Sequence, residues 1–326
     1  MARLRFYSLQ VALLCAVCQF AANGAWAQSY PTKVIRYIVA DPAGGNSDIL
    51  ARIIAEGLTQ ALGQQVIVDN RGGAAGNIAA ELAAKAPADG YTLFQVATTH
   101  VVNISLYSHL PYDLVRDFAP VTQLVSAPAV VVVHPSLPVK SIRDLVKLAK
   151  AEPAAIKYSS AGVGTSTFVA PELFKRWAGV DLLHVPYRGG SQALLAVITG
   201  ETSVYFSPVA TALPYIQQGR LRALAVTTPK RLPLLPDYPT VAESGYPGYQ
   251  ATNWYGLMVP AKTPREIIAS IHKAAIPVLN NPTGSKRLTD LGFIVVGDQP
   301  DEFAAYIKSQ IESLGKVMRE FRVTGD

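Results

Sequence analysis

Val34-Ile35-Arg36-Tyr37-Ile38-Val39-Ala40-Asp41-Pro42-Ala43-Gly44-Gly45-Asn46-Ser47-Asp48 decides the fold. Its first seven residues are rich in β-branched and aromatic side chains and read as a strand. Asp41 to Asp48 is a glycine turn ending in good helix-capping residues. Ile49, Leu50, Ile53, Ile54, Leu58 and Leu62 follow at helical spacing, and Gly63 stops the helix. The same unit returns. Gln65 to Asp69 is a strand, Asn70 to Asn77 a second glycine turn, 78–86 an Ala-rich helix, and Tyr91 to Ala97 a third strand after the Pro87–Gly90 turn. Further on, strands are expected at Val130–His134, Ile156–Ser159, Leu183–Tyr187, Ser203–Phe206 and Leu221–Val226. They alternate with helices at 141–151, 168–178, 190–199 and 211–218. A Pro-rich connection covers 229–239, and helices at 264–280 and 301–320 close the chain. Strand, turn and helix in alternation mark an α/β protein with a largely parallel sheet.

Working outward, the 326 residues suggest about two domains and allow hydrophobic cores without disulfide or metal staples. Half the residues are hydrophobic and 16% are charged, which excludes disorder as the main state. Arg3 and Arg5, an apolar run from Leu9 to Ala22 and Ala25-Trp26-Ala27 form a secretory signal peptide, with cleavage after Ala27. The run is too short to span a bilayer comfortably. Leu14 and Val17, ahead of the two cysteines, argue against a lipoprotein. Cleavage removes Cys15 and Cys18, so the mature chain has no thiol for a disulfide, a nucleophile or a metal. It also lowers the net charge from +6 to +4, 27 basic against 23 acidic residues. The basic residues are dispersed, unlike a nucleic-acid patch. A soluble periplasmic product is expected.

Three glycine-rich strand-to-helix turns, 43–48, 71–77 and 162–167, are candidate anion sites, because free N–H groups and the helix dipole favour negative charge there. Taken singly, each reads as an ordinary capped turn; two from separate domains facing one cleft favour the anion reading. Gly162-Val163-Gly164 lacks the third glycine of a dinucleotide fingerprint, and no phosphate-loop motif occurs. Gly189-Gly190-Ser191-Gln192-Ala193 falls one residue short of a hydrolase nucleophile elbow, and Ser191 reads as a helix cap. The five histidines show no metal spacing. His100 stands apart, following Thr98-Thr99 at a strand end, where ligands of α/β sheets lie. Arg188 reads as a surface residue, and the stripe Phe303, Ile307, Ile311 and Leu314 as core packing.

Several segments together carry a resemblance: Pro42-Ala43-Gly44-Gly45-Asn46-Ser47-Asp48-Ile49-Leu50-Ala51-Arg52, Asp69-Asn70-Arg71-Gly72, Ala88-Asp89-Gly90-Tyr91-Thr92-Leu93, Tyr158-Ser159-Ser160-Ala161-Gly162-Val163-Gly164-Thr165, His184-Val185-Pro186-Tyr187-Arg188-Gly189 and Gly219-Arg220-Leu221-Arg222-Ala223-Leu224-Ala225-Val226. From about Tyr30 onward the chain resembles the Bug (TctC-type) extracytoplasmic substrate-binding proteins of tripartite tricarboxylate transporters. The resemblance implies a type II periplasmic-binding-protein fold, two α/β lobes with a ligand cleft between them. Lobe 1 would take 28–126 plus 246–326 and lobe 2 would take 127–245. It implies a monomeric receptor without catalysis or cofactor, which captures a small carboxylate and delivers it to membrane permease subunits. An exported hydrolase centred on Ser191 and a ligand sensor without a transporter are the alternatives.

Family members hold the carboxylate with backbone and hydroxyl donors on the loop after the first strand of each lobe, here Gly44 to Asp48 and Ser160 to Ser166. The expected ligand contacts are Asp41, Gly44, Gly45, Asn46, Ser47, Asp48, Thr98, Thr99, His100, Ser160, Gly162, Gly164, Thr165, Ser166 and Ser207. Asp41 departs from the family, which has an apolar or aromatic residue there. A carboxylate beside an anion site repels the ligand unless it is neutralised, turned away, or used to contact an amine or hydroxyl. Asp41 is therefore expected to shape selectivity.

Overall fold

The computed structural model describes residues 30–321. The expected signal peptide, its cleavage point and both cysteines lie outside them. The chain order begins β1 (Ile35–Val39), α1 (Asn46–Leu62), β2 (Val66–Asn70), α2 (Asn77–Ala84), β3 (Thr92–Ala97), α3 (Thr98–Leu106), β4 (Phe118–Val133) and α4 (Ile142–Ala151). It continues with β5 (Lys157–Ser160), α5 (Ser166–Ala178), β6 (Leu183–Pro186), α6 (Gly190–Ile198), β7 (Val204–Pro208), α7 (Val209–Gln217) and β8 (Arg222–Val226). The last elements are β9 (Thr252–Pro260), α8 (Arg265–Asn280), α9 (Pro282–Asp290), β10 (Ile294–Val295) and α10 (Pro300–Phe321).

The strands follow the order β2-β1-β3-β9-β4-β7-β5-β6, with β8 and β10 also paired to β4. Pairing is parallel for β1–β2, β1–β3, β5–β6 and β5–β7, and antiparallel wherever β4 or β9 takes part. Each lobe is thus a parallel sheet closed by antiparallel strands, more mixed than the largely parallel sheet expected. β4 joins the two. Phe118 to Pro128 pairs with β9, and Ala129 to Val133 pairs with β7 and β8.

Burial explains the local structure. Ile35, Tyr37 and Val39 face one core with Leu50, Ile54 and Leu58 of α1, while Ile38 faces a second with Phe94, Trp254 and Phe303. A strand buried on both faces is apolar throughout rather than alternating. Gly63 ends α1 in the left-handed conformation, φ 66°, its N–H donated to Thr59 O. In the second lobe, Val131, Tyr158, Phe174, Phe206 and Tyr249 form one core, and Val130, Val132, Tyr205 and Val226 another. A fifth cluster crosses between lobes: Val102 and Leu106 of α3 meet Phe168 and Val169 of α5, with Met318.

Five elements were not foreseen: the N-terminal part of β4, β9, α3, α9 and the short β10. The N-terminal part of β4 contains Pro120 and Pro128, which argue against a strand. The ladder accommodates them with a register shift next to Pro120 and a change of partner after Pro128. β9 carries Gly256, which leaves no room for a Cβ because the Phe303 ring lies against it. α3 is rich in Thr, Val and Ile, poor helix formers whose placement here follows from tertiary packing.

Candidate functional site

A cavity of about 850 Å³ lies between the lobes. One wall comes from the loops after β1 and β2 and the start of α3, the other from the loops after β5 and β6. These are carboxyl ends of parallel strands, where α/β sheets place ligands. Gly76, Ala97, Thr165 and Gly189, which precede α2, α3, α5 and α6, all border it. Gly45, ahead of α1, borders an adjoining recess of about 60 Å³. No side chain caps α1, α2, α5 or α6, whereas Ser141 and Asn281 cap α4 and α9 elsewhere; α7 and α8, starting after Pro208 and Pro264, are uncapped as well. First-turn N–H groups have no acceptor inside their own helix. Four uncapped starts from two lobes therefore gather donors and positive dipole ends around one space.

Charged side chains are scarce here: among the described residues, Asp41 and the exposed Arg188 alone border the large cavity. Asp41 borders both voids, its carboxyl pushed up by burial although the Ser47 hydroxyl bonds to it. His100 is 1% exposed, and burial drives its pKa down to about 4. Its Nδ1 accepts the Ala97 N–H at 3.0 Å, so it supports the start of α3 as a neutral ring. A histidine with a depressed folded pKa takes its proton more readily when unfolded. Its contribution is complete above about pH 6.5 and is lost as pH falls toward about 4. At 1.36 kcal/mol per pH unit this amounts to ~3 kcal/mol. His100→Gln is expected to flatten the stability curve across that window in urea unfolding, against the opposite trend that Asp41 contributes.

The expected contacts divide. Asp41, Ser47, Thr99, His100, Gly162 and Thr165 border the large cavity, and Gly45, Asn46 and Ser166 the recess. The others point elsewhere. Gly44 is an exposed left-handed residue whose N–H goes to Asp48 Oδ2 at 2.9 Å. Burial alone would raise the Asp48 carboxyl, but bonds from Arg52, Gly44 and Asn70 outweigh it and hold it below the usual range. It braces the loop. Thr98 Oγ1 accepts the Trp254 N–H, and its residue lines a separate void of about 280 Å³. Ser160 is buried between His184 Nε2, 2.7 Å away, and the Gly162 N–H. Gly164 abuts Asn103 and Leu106, and Ser207 donates to Pro208 O.

Other residues join the site. Gly73, Ala74 and Ala75 line the cavity, with Ala74 and Ala75 held at positive φ, 46° and 50°. The glycine turn at 71–77 was the signal for them. Gln95 accepts from Tyr37 Oη at 2.6 Å and donates to Ser47 Oγ at 2.6 Å, a buried polar residue inside a strand. Tyr205, Asn253 and Tyr255 reach the recess from β7 and β9, with no local sequence signal. Ser191 is exposed on α6, and no histidine bonds to it among the described residues; the buried Ser160 meets His184, which borders neither the cavity nor the recess. Among the described residues no helix is long and apolar enough to cross a membrane.

The chain is similar to known proteins over most of its length. It is 36% identical over 299 residues to a Pseudomonas sp. (strain P51) protein encoded between tcbD and tcbE, covering 91% of this chain and 89% of that one. The structure of R. palustris Rpa4515 with adipate superposes with a TM-score of 0.88 at 34% identity, covering 90% of this chain and 99% of the other. MatC from Rhodopseudomonas palustris with bound malate gives a TM-score of 0.84 at 29% identity, covering 88% and 99%. The sequence profile of the tripartite tricarboxylate transporter family receptors, TctC, matches residues 50–323. Two α/β lobes around a cleft rimmed by uncapped helix starts, together with this match, show that the chain belongs to the TctC family of tripartite tricarboxylate transporter receptors.

Proposed function

We propose that the protein is a periplasmic receptor that captures a small carboxylate between its lobes and delivers it to the permease subunits of a tripartite tricarboxylate-type transporter. The observation that carries the reading is the set of uncapped helix starts from both lobes around one cavity of about 850 Å³. Backbone donors and helix dipoles hold an anion without a fixed countercharge, which suits reversible capture. The relatives solved with adipate and malate, both dicarboxylates, support the ligand class. The division proposed is lobe 1 from 28–126 and 246–326 and lobe 2 from 127–245. The partner change in β4 and the packing of Tyr249 in the second lobe's core support crossings a few residues further along. Signal-peptide cleavage after Ala27, a monomeric state and the absence of catalysis complete the proposal. Carboxylate binding would shift the lobes toward the closed form that the permease reads.

A thermal-shift panel of mono-, di- and tricarboxylates on the exported protein tests this. Ligand at 100 times its Kd should stabilise by about 2.7 kcal/mol, with no ester turnover. A panel in which no carboxylate raises the melting temperature would sink the reading.

A further inference from the structure

We propose that Asp41, Asn46 and Asn253 form a cation-accepting subsite beside the anion site, so that the ligand is a carboxylate that also carries an ammonium group. The inference rests on the carboxylate-receptor reading and names its substrate class. The recess of about 60 Å³ is the place. A water-sized group needs about 10–15 Å³ of such space, so an ammonium head fits. Asp41, Ala97, Thr99, Ala161 and Thr165 border both the recess and the large cavity. A ligand seated at the helix starts therefore reaches the recess without crossing the protein.

The recess offers acceptors. Among the described residues, Asp41 is the one charged side chain on its wall. Asn46 hydrogen-bonds the Tyr255 hydroxyl through its amide N–H at 3.2 Å, and Asn253 lines the recess beside them. Asn46 Oδ1 and Asn253 Oδ1 are buried without hydrogen-bond partners, on side chains only 7% and 9% exposed. Buried acceptors are normally satisfied, and the two residues that carry these line the recess beside a carboxylate. A primary ammonium has three donors and no acceptor, which matches one carboxylate and two amide oxygens. A plain dianion matches less well, because its second carboxylate would stand against Asp41 and two amide oxygens, with the unpartnered Tyr205 hydroxyl as a donor on that wall. The competing arrangement is a protonated Asp41 that donates to the ligand; an asparagine would imitate it.

The test is isothermal titration of the exported protein with glutarate, L-glutamate and 5-aminopentanoate, and of Asp41→Asn with the same three. One of the two amines should bind about tenfold or more tightly than glutarate, and Asp41→Asn should reduce that ratio by about tenfold or more. Glutarate binding as tightly as both amines, or an unchanged ratio in Asp41→Asn, overturns the subsite while leaving the carboxylate receptor standing. No binding by these three, nor by their homologues one carbon shorter and longer, overturns the subsite; silence across the wider carboxylate panel overturns the receptor reading too. Circular dichroism checks folding. If Asp41→Asn fails to fold, Asn253→Leu, which removes one of the orphan oxygens, should produce the same loss of ratio, and an unchanged ratio there overturns the subsite.

Discussion

Gly164→Ala is expected to weaken carboxylate binding by roughly 10- to 100-fold while lowering thermal stability only modestly. Gly164 sits at φ 84° on the loop after β5, and an added Cβ would come 2.9 Å from both Asn103 Oδ1 and Leu106 Cδ1 of α3. Two costs follow. The left-handed backbone costs an alanine about 1–2 kcal/mol whether the lobes are open or closed. The contact with α3 exists only when the lobes meet, and overpacking of this kind costs about 1–3 kcal/mol. Only the second cost falls on binding, because it reduces the fraction of molecules able to close. Gly179→Ala is the control. Gly179 ends α5 at φ 60° with nothing within 4 Å of its Cβ position. It should show the backbone penalty in melting temperature with affinity unchanged. Equal affinity in wild type and Gly164→Ala, measured by titration, would show that this contact does not form part of closure.

Trp254→Ala should cost about 3–5 kcal/mol, the range for a buried aromatic truncated to alanine. Trp254 is fully buried in β9, edge-on to Phe303 at 5.6 Å and Tyr306 at 5.5 Å between ring centroids. Those two rings hold α10 onto the sheet that carries the β3 and β1 loops. At about 2–4 °C per kcal/mol for domains of this size, the melting temperature should fall by about 10 °C. Leu195, 55% exposed on α6, gives the comparison: its change to Ala should stay within about 0.5 kcal/mol. Equal melting temperatures for the two variants would contradict the packing account.

Several parts of this molecule were legible in the chain. The run from Val34 to Leu62 reads as strand, turn and helix because β-branched clustering, a glycine turn and 3.6-residue spacing are local properties. The glycines at 44, 63, 76, 162 and 164 do occupy left-handed backbone, as turns of that composition require. β4 and β9 were less legible. Buried on both faces, they lack alternation, and their prolines and Gly256 imitate loop signals. Among hydroxyls of similar sequence setting, Thr165 borders the cavity while Ser160 turns to His184. Ser160 ends β5, whereas Thr165 stands five residues on at the start of α5, and only the packed lobes settle which hydroxyl faces the cleft.

Taken alone, then, the sequence established the strand-turn-helix units, the exported character expected of the N-terminus, the three glycine turns and the family resemblance. All of these rest on local spacing or on ordered short motifs. Only the tertiary structure decided that four uncapped helix starts share one cavity, that Asp48 braces its own loop, and that Asn253 and Tyr255 stand beside Asp41 from more than 200 positions away. The reason is physical. Two long-range crossings of the chain bring separate strand ends face to face, and no local pattern of residues encodes which distant side chain will complete a recess.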